Sequence, residues 1–241
     1  MQTKGTKFEE TAIIIRQEEI ADDIYSMWLR TEHIAAHAKA GQFVSVYCNE
    51  GSRLLPRPIS ICGIDKEAGT LRIVYRTVGD GTKELSDYKE GEMVKILGPL
   101  GNGFTQKDKK AILIGGGIGI PPMLELMKQL DCDKTAVLGY RDSDMFLKDE
   151  FEAVGDVVIS TEDGSFGTKG NVIDAIKEQG VEGSIIYACG PNTNASRNQS
   201  ICRRDGDRST DFHGRENGMW NRCMLSLCLQ VKRRGFPFTC S

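Results

Sequence analysis

The sequence of 241 residues predicts a β-barrel or sandwich followed by an α/β unit with a parallel sheet. Two observations carry this. From Phe8 to about Pro99, short β-rich runs alternate with turn residues. From near Lys109, strand-like runs alternate with helix-like ones, the pattern of a parallel sheet covered by helices. The length suits two modest domains, each able to bury a core.

The runs TAIIIRQ, DIYSMWLR, QFVSVYC, RPISICG, LRIVYRTV and MVKILGP make up the first part, punctuated by Gly41, Asn49 with Gly51, Gly69 and Gly91. Short strands at this spacing favour a small antiparallel architecture, with a brief helix expected around Thr82 to Tyr88. In the second part KKAILIGGG reads as a buried strand entering a glycine turn. PPMLELMKQL follows with apolar residues at helical spacing. TAVLGYR, DVVISTED and SIIYACG are strand candidates; MFLKDEFEAV and NVIDAIKEQG are helix candidates.

The net charge of −3 gives no reason to expect a nucleic-acid or anionic-membrane partner. MQTKGTKFEE lacks the apolar core of a signal peptide and no apolar run reaches membrane-span length, so a cytoplasmic protein is expected. Cys48, Cys62, Cys132 and Cys189 sit singly in apolar surroundings, as buried thiols do. Cys202, Cys223, Cys228 and Cys240 crowd into the tail without a metal-ligand spacing, and no metal site is expected from them.

Three constellations bear on chemistry. In Arg57-Pro58-Ile59-Ser60, the arginine offers a planar fork for a phosphate oxygen, and the serine hydroxyl can bond a flavin ring edge. Val74-Tyr75-Arg76 and then Gly81-Thr82 follow; the latter opens the short helix and could present backbone amides to a pyrophosphate. The alternative is that Arg57 and Arg76 are solvated strand charges and Gly81 only turns the chain. The second constellation is Gly115-Gly116-Gly117-Ile118-Gly119-Ile120-Pro121-Pro122, between a buried strand and an amphipathic helix. Backbone without side chains there lets a dinucleotide phosphate approach. Ile120 stands where a GxGxxG fingerprint has its third glycine, so this is not the standard motif. The third is Tyr187-Ala188-Cys189-Gly190-Pro191, ending the last strand, where a small thiol and a glycine leave room for a flat ring. Taken alone, Cys189 is more often a packed core cysteine than a functional one.

In this order the parts resemble the ferredoxin reductase superfamily over about residues 8 to 192. Within it, LLPRPISICG, the GT step and GGGIGIPPMLEL look most like the electron-transfer subunits of NAD-dependent dihydroorotate dehydrogenases. The resemblance implies an FAD-binding barrel over 1–102 and a nicotinamide-binding domain over 103–192. It implies FAD held by Arg57, Pro58, Ile59, Ser60, Val74, Tyr75, Arg76, Gly81 and Thr82. NAD(H) would meet Gly115, Gly116, Gly117, Gly119, Cys189 and Gly190. It implies hydride transfer from NADH to flavin, then passage through a [2Fe-2S] cluster to a catalytic dihydroorotate dehydrogenase flavoprotein subunit, in a heterotetramer. No catalytic acid, base or nucleophile is required. Another reductase subunit of the superfamily, serving ferredoxin or a hydrogenase, is the alternative, as is an inactive product. Glu162 and Asp163 after the DVVIST run favour NAD over NADP, and Arg141 weighs the other way. His33 and His37 read as surface residues.

After CGP the family pattern calls for a C-x4-C-x2-C segment. Residues 193–241 contain none, and their basic composition suggests little to bury. A one-base forward shift changes this. Met219-Trp220 then encodes Cys, Trp220-Asn221 Gly, and Met224-Leu225 Cys, whatever codons are used. Permissible codons give PMLRA from Thr193 and SMEERMACGIGACLACVCK from Phe212. The tail is accordingly read as frameshifted after Asn192, the alternative being a divergent extension.

Overall fold

The computed structural model describes residues 6–49 and 55–190, and the backbone of 225–231 and 238–240. The chain divides into two compact units: Met1–Phe104 with Leu124–Leu126, and Thr105–Met123 with Met127–Ser241.

In the first unit β1 (Phe8–Ala21), β2 (Ile24–Arg30), β3 (Phe43–Val46), β4 (Arg57–Asp65), β5 (Thr70–Arg76) and β6 (Met93–Leu100) close into an antiparallel barrel of order β1-β2-β5-β4-β3-β6. Closure depends on the long first strand. Phe8–Ile13 pairs with β6, and from Ile13 onward the strand pairs with β2, with irregularities between Ile14 and Arg16 that let it coil around the barrel. Alternation fills the interior: Ala12 and Ile14, Met27 and Leu29, Val44 and Val46, Ile59 and Ile61, and Val94 and Ile96 are among its buried core. Two short helices attach to the barrel, α1 (Ile34–His37) and α2 (Asp80–Asp87). The Glu10 carboxylate accepts the His33 and Ile34 amides at 3.0 and 2.7 Å, fixing the start of α1. His33 and His37 are exposed and flank the Phe8 ring, with centroids at 5.2 and 4.8 Å.

The second unit is built on β7 (Ala111–Gly116), β8 (Lys134–Tyr140), β9 (Asp156–Thr161), β10 (Thr168–Lys169) and β11 (Ile185–Gly190), all parallel, in order β10-β9-β8-β7-β11. Its helices are α3 (Ile120–Gln129), α4 (Lys148–Glu152) and α5 (Val172–Glu178). Ile112 and Ile114 of β7, Val137 of β8, and Ile186 and Ala188 of β11 bury against Val172 and Ala175 of α5. The fully buried Tyr187 sends its hydroxyl to the Thr105 carbonyl and receives the Lys107 amide, both at 3.1 Å, which ties the start of this unit to its sheet.

The tail departs from the sequence expectation. β12 (Leu225–Val231) runs antiparallel to β11, and β13 (Phe238–Cys240) antiparallel to β12, extending the sheet. LSLCLQV alternates apolar with small or polar residues, a strand pattern that the basic composition around it conceals.

Candidate functional site

The barrel unit holds the first candidate site. Ile59 and Ile61 of β4 belong to the barrel core, so Pro58 and Ser60 face outward. Leu71, Ile73 and Tyr75 of β5 also belong to it, so Val74 and Arg76 face outward. Ser60, Val74 and Arg76 therefore share the outer face of two adjacent strands. Ser60 and Val74 are buried and Arg76 is exposed. Ile59 and Tyr75 send their side chains inward and have only backbone to offer a ligand. The Tyr75 ring stacks on Tyr25 at 6.0 Å and its hydroxyl donates to Gln17 Oε1 at 3.2 Å. Burial, with smaller contributions from Tyr25 and Asp87, pushes the phenol far above its ordinary pKa, so it stays a donor.

Arg57 and Gly81 meet. Arg57 donates from Nη1 to the Leu55 carbonyl, and a Cβ placed on Gly81 would overlap the guanidinium. The missing side chain is what admits the fork to the start of α2. Thr82 shapes the turn before it: Oγ1 accepts the Val78 and Gly79 amides at 2.9 and 3.2 Å and donates to the Gly79 carbonyl at 2.9 Å. Its hydroxyl is thus committed to the chain, while the amides of Thr82 and Lys83 both bond the Gly79 carbonyl at 3.0 Å. Two residues without a site role in the sequence reading lie here, and one of them, Cys48, expected as a buried thiol, is half-buried. Cys48 Sγ lies 3.4 Å from the Gly81 carbonyl. Gln17 Nε2 lies 3.0 Å from the carbonyls of Leu85, Ser86 and Tyr88 at the far end of α2. Neither stands in a recognisable motif; one cysteine in an apolar run and one glutamine in a strand give no local signal.

The second unit carries the glycine turn. Gly115 and Cys189 are register partners on β7 and β11. Gly117 has φ +50°, and a Cβ on Gly119 would overlap the Cys189 carbonyl and Gly190 Cα. Gly116 backbone, from 3.6 Å, lies nearest the missing Cβ of Gly190 among the described residues. Gly115, Gly116, Gly117, Gly119, Cys189 and Gly190 thus come together as a surface of backbone at the carboxyl ends of two parallel strands. The Cys189 side chain is buried; its carbonyl, not its thiol, packs on the turn. Pro121 and Pro122 bring no N–H to the first turn of α3, and the Ile120 amide is already bonded to Gly117 O.

Alongside, the Glu162 amide bonds Tyr140 O at 3.2 Å and the Asp163 amide bonds Arg141 O at 3.3 Å. This brings Arg141, Glu162 and Asp163, all exposed, together at the ends of β8 and β9. Hydrogen bonds from Ser165 lower the Asp163 pKa, keeping it ionised.

Comparison with known proteins agrees with these features. Residues 11–104 match the oxidoreductase FAD-binding domain family. A chain from the structure of an NADH-dependent reduced ferredoxin-NADP oxidoreductase superposes with a TM-score of 0.66 at 30% identity, covering 75% of this chain and 66% of that one. An Amycolatopsis cytochrome P450 reductase shares the fold at a TM-score of 0.70 and 19% identity, covering 83% and 66%. Fold and site define an FAD-dependent NAD(H) oxidoreductase subunit of the ferredoxin-reductase type. The electron transfer subunits of dihydroorotate dehydrogenase B (NAD(+)) from Bacillus cereus (strain B4264) and Bacillus anthracis (strain CDC 684 / NRRL 3495) are each 41% identical over 192 residues, covering 76% of this chain and 74% of the relative. The chain belongs to that family.

Proposed function

We propose that this chain transfers electrons between NAD(H) and a bound FAD on behalf of a dihydroorotate-oxidising partner. The observation that carries the reading is the cradle at Gly81, where only a residue without Cβ lets the Arg57 fork lie against the start of α2. Arg57 would hold a pyrophosphate oxygen, Ser60 would bond the ring edge, and Val74 and Arg76 would line the same outer face. Pro58 stiffens β4, while Ile59, Tyr75 and Thr82 fix the backbone around the site. The glycine turn with Cys189 and Gly190 would seat NAD(H). FAD, when bound, supplies the exchange between a two-electron hydride and one-electron carriers; the protein's own residues bind, orient and exclude water. Visible absorption of the purified chain, reconstituted with FAD, tests this before and after NADH. A flavin spectrum bleached by NADH is expected. Failure to take up FAD overturns the reading.

NADH is proposed as the favoured nucleotide. Glu162, beside the ionised Asp163, would accept ribose hydroxyls and repel a 2′-phosphate. Equal rates of NADPH and NADH oxidation would sink this.

The physiological route in the family is proposed to continue through a [2Fe-2S] cluster to the catalytic subunit, in a cytoplasmic heterotetramer. Among the described residues no group of three or more His, Cys, Asp or Glu is placed to hold a metal. The tail side chains lie outside the described residues. Residues 193–241 as they stand lack the C-x4-C-x2-C spacing, and on that ground the path proposed for this chain ends at FAD. Among the described residues no helix is long and apolar enough to cross a membrane. A one-base shift after Asn192 is proposed to have displaced the cluster segment, and sequencing the coding DNA there decides it. Copurification with a dihydroorotate-oxidising subunit supports that partner. Copurification with ferredoxin instead would favour a ferredoxin-linked role, to which the 30% identical ferredoxin-NADP oxidoreductase chain lends weight.

A further inference from the structure

We infer that Gln17, at the opposite end of α2 from the flavin cradle, is a positioning residue for FAD. The inference rests on the proposed FAD reading and concerns what holds α2 in place. A helix leaves its last carbonyls without intrahelical partners, and α2 is only eight residues long, Asp80–Asp87. Gln17 Nε2 meets three of the carbonyls at its end, those of Leu85, Ser86 and Tyr88, each at 3.0 Å. Carbonyls are met only by a donor, so the amide orientation is fixed. The Tyr75 hydroxyl fixes it again by donating to Oε1 at 3.2 Å.

This makes a continuous mechanical link within the barrel unit. β5 carries Tyr75 inward, Tyr75 orients Gln17, Gln17 on β1 grips the carboxyl end of α2, and the amino end of α2 presents Gly81 to Arg57. A Cβ on Gly81 would already overlap the guanidinium, so a helix shifted toward it would push the fork aside. A displaced α2 would therefore misplace the fork and the turn amides together. Glutamine is the fitting residue because one side chain must both donate to carbonyls and accept from a phenol; a carboxylate would face three oxygens with no proton.

The test uses the full chain and FAD titration, followed by flavin fluorescence, in wild type, Q17L and Q17E. At about pH 8, both variants are expected to bind FAD about tenfold more weakly, the factor equivalent to ~1.4 kcal/mol. As pH falls toward about 5, the Q17E carboxyl, destabilised as an anion by the carbonyls, takes up a proton and becomes a donor. Its FAD affinity should then approach wild type while Q17L stays flat, a response that a packing defect does not give. Should Q17L fail to fold, the near-isosteric Q17E profile alone decides. FAD affinities of Q17E within about twofold of wild type at both pH values, less than ~0.5 kcal/mol, overturn the inference. Absence of FAD binding by wild type overturns the flavin reading instead.

Discussion

Arg57 and Gly81 constrain one another, and a single methyl group measures how much. Gly81→Ala would drive a Cβ into the guanidinium. The guanidinium is the movable end of its side chain, so it must swing away from the start of α2, and FAD affinity should fall by about tenfold, ~1.4 kcal/mol; flavin titration checks it. Gly119→Ala makes the corresponding clash with the Cys189 carbonyl in the second unit. Backbone cannot rotate away as a side chain can. The expected result is a raised KM for NADH, with FAD binding unchanged in the same preparation. An unaltered KM would remove the glycine turn from the nicotinamide site. At this scale the sequence was only half legible. RPIS and VYR stand out as strings, but a string does not say which residues face the core. Tyr75 turns inward because Leu71 and Ile73 at the same strand parity belong to the barrel core, a fact fixed by tertiary packing.

Among the elements, α5 shows what a local signal can deliver. Asn171 Oδ1 accepts the amides of Ile173 and Asp174 at 2.8 and 3.3 Å, and Asp174 Oδ2 accepts the Asn171 amide at 3.1 Å. This reciprocal cap places the helix start at Val172, inside the run the sequence marked as helical. Asn171→Ala should destabilise the second unit by ~1 kcal/mol, read as a lower denaturant midpoint with an unchanged slope. α4 shows where such signals stop. The run MFLKDEFEAV is helical in periodicity, yet the helix spans only Lys148–Glu152. Leu147 sits at φ +63°, which ends helical geometry on that side, and the Phe146 carbonyl accepts the Tyr140 hydroxyl at 2.9 Å. A side-chain hydrogen bond reaching six residues along the chain took the place of a turn of helix, and apolar periodicity does not report such a bond. β12 was legible and overlooked, its LSLCLQV alternation masked by the basic residues around it.

For the whole molecule, the division into barrel and parallel sheet was readable because the hydrophobic period changes once, near Lys109, and both units then impose the same pH limit. Tyr75 in the barrel and Tyr140 beside α4 are buried, and burial is the first cause raising each phenol pKa; Tyr25 adds to it for Tyr75 and Glu152 for Tyr140. Unfolded tyrosine releases its proton near pH ~10. The folded chain holds both protons above that value, so below it the two phenols contribute their full stability. As pH rises past about 10, the unfolded state gains by ionising while the folded state cannot, and stability falls. Denaturant unfolding should give midpoints that are level between about pH 7 and 9 and drop above about 10. A Tyr75→Phe, Tyr140→Phe double variant starts lower, because it loses the donors to Gln17 and to the Phe146 carbonyl. Its alkaline drop should nevertheless be shallower, since two of the groups that drive it are gone. Equal slopes in wild type and variant would mean that other groups govern alkaline unfolding.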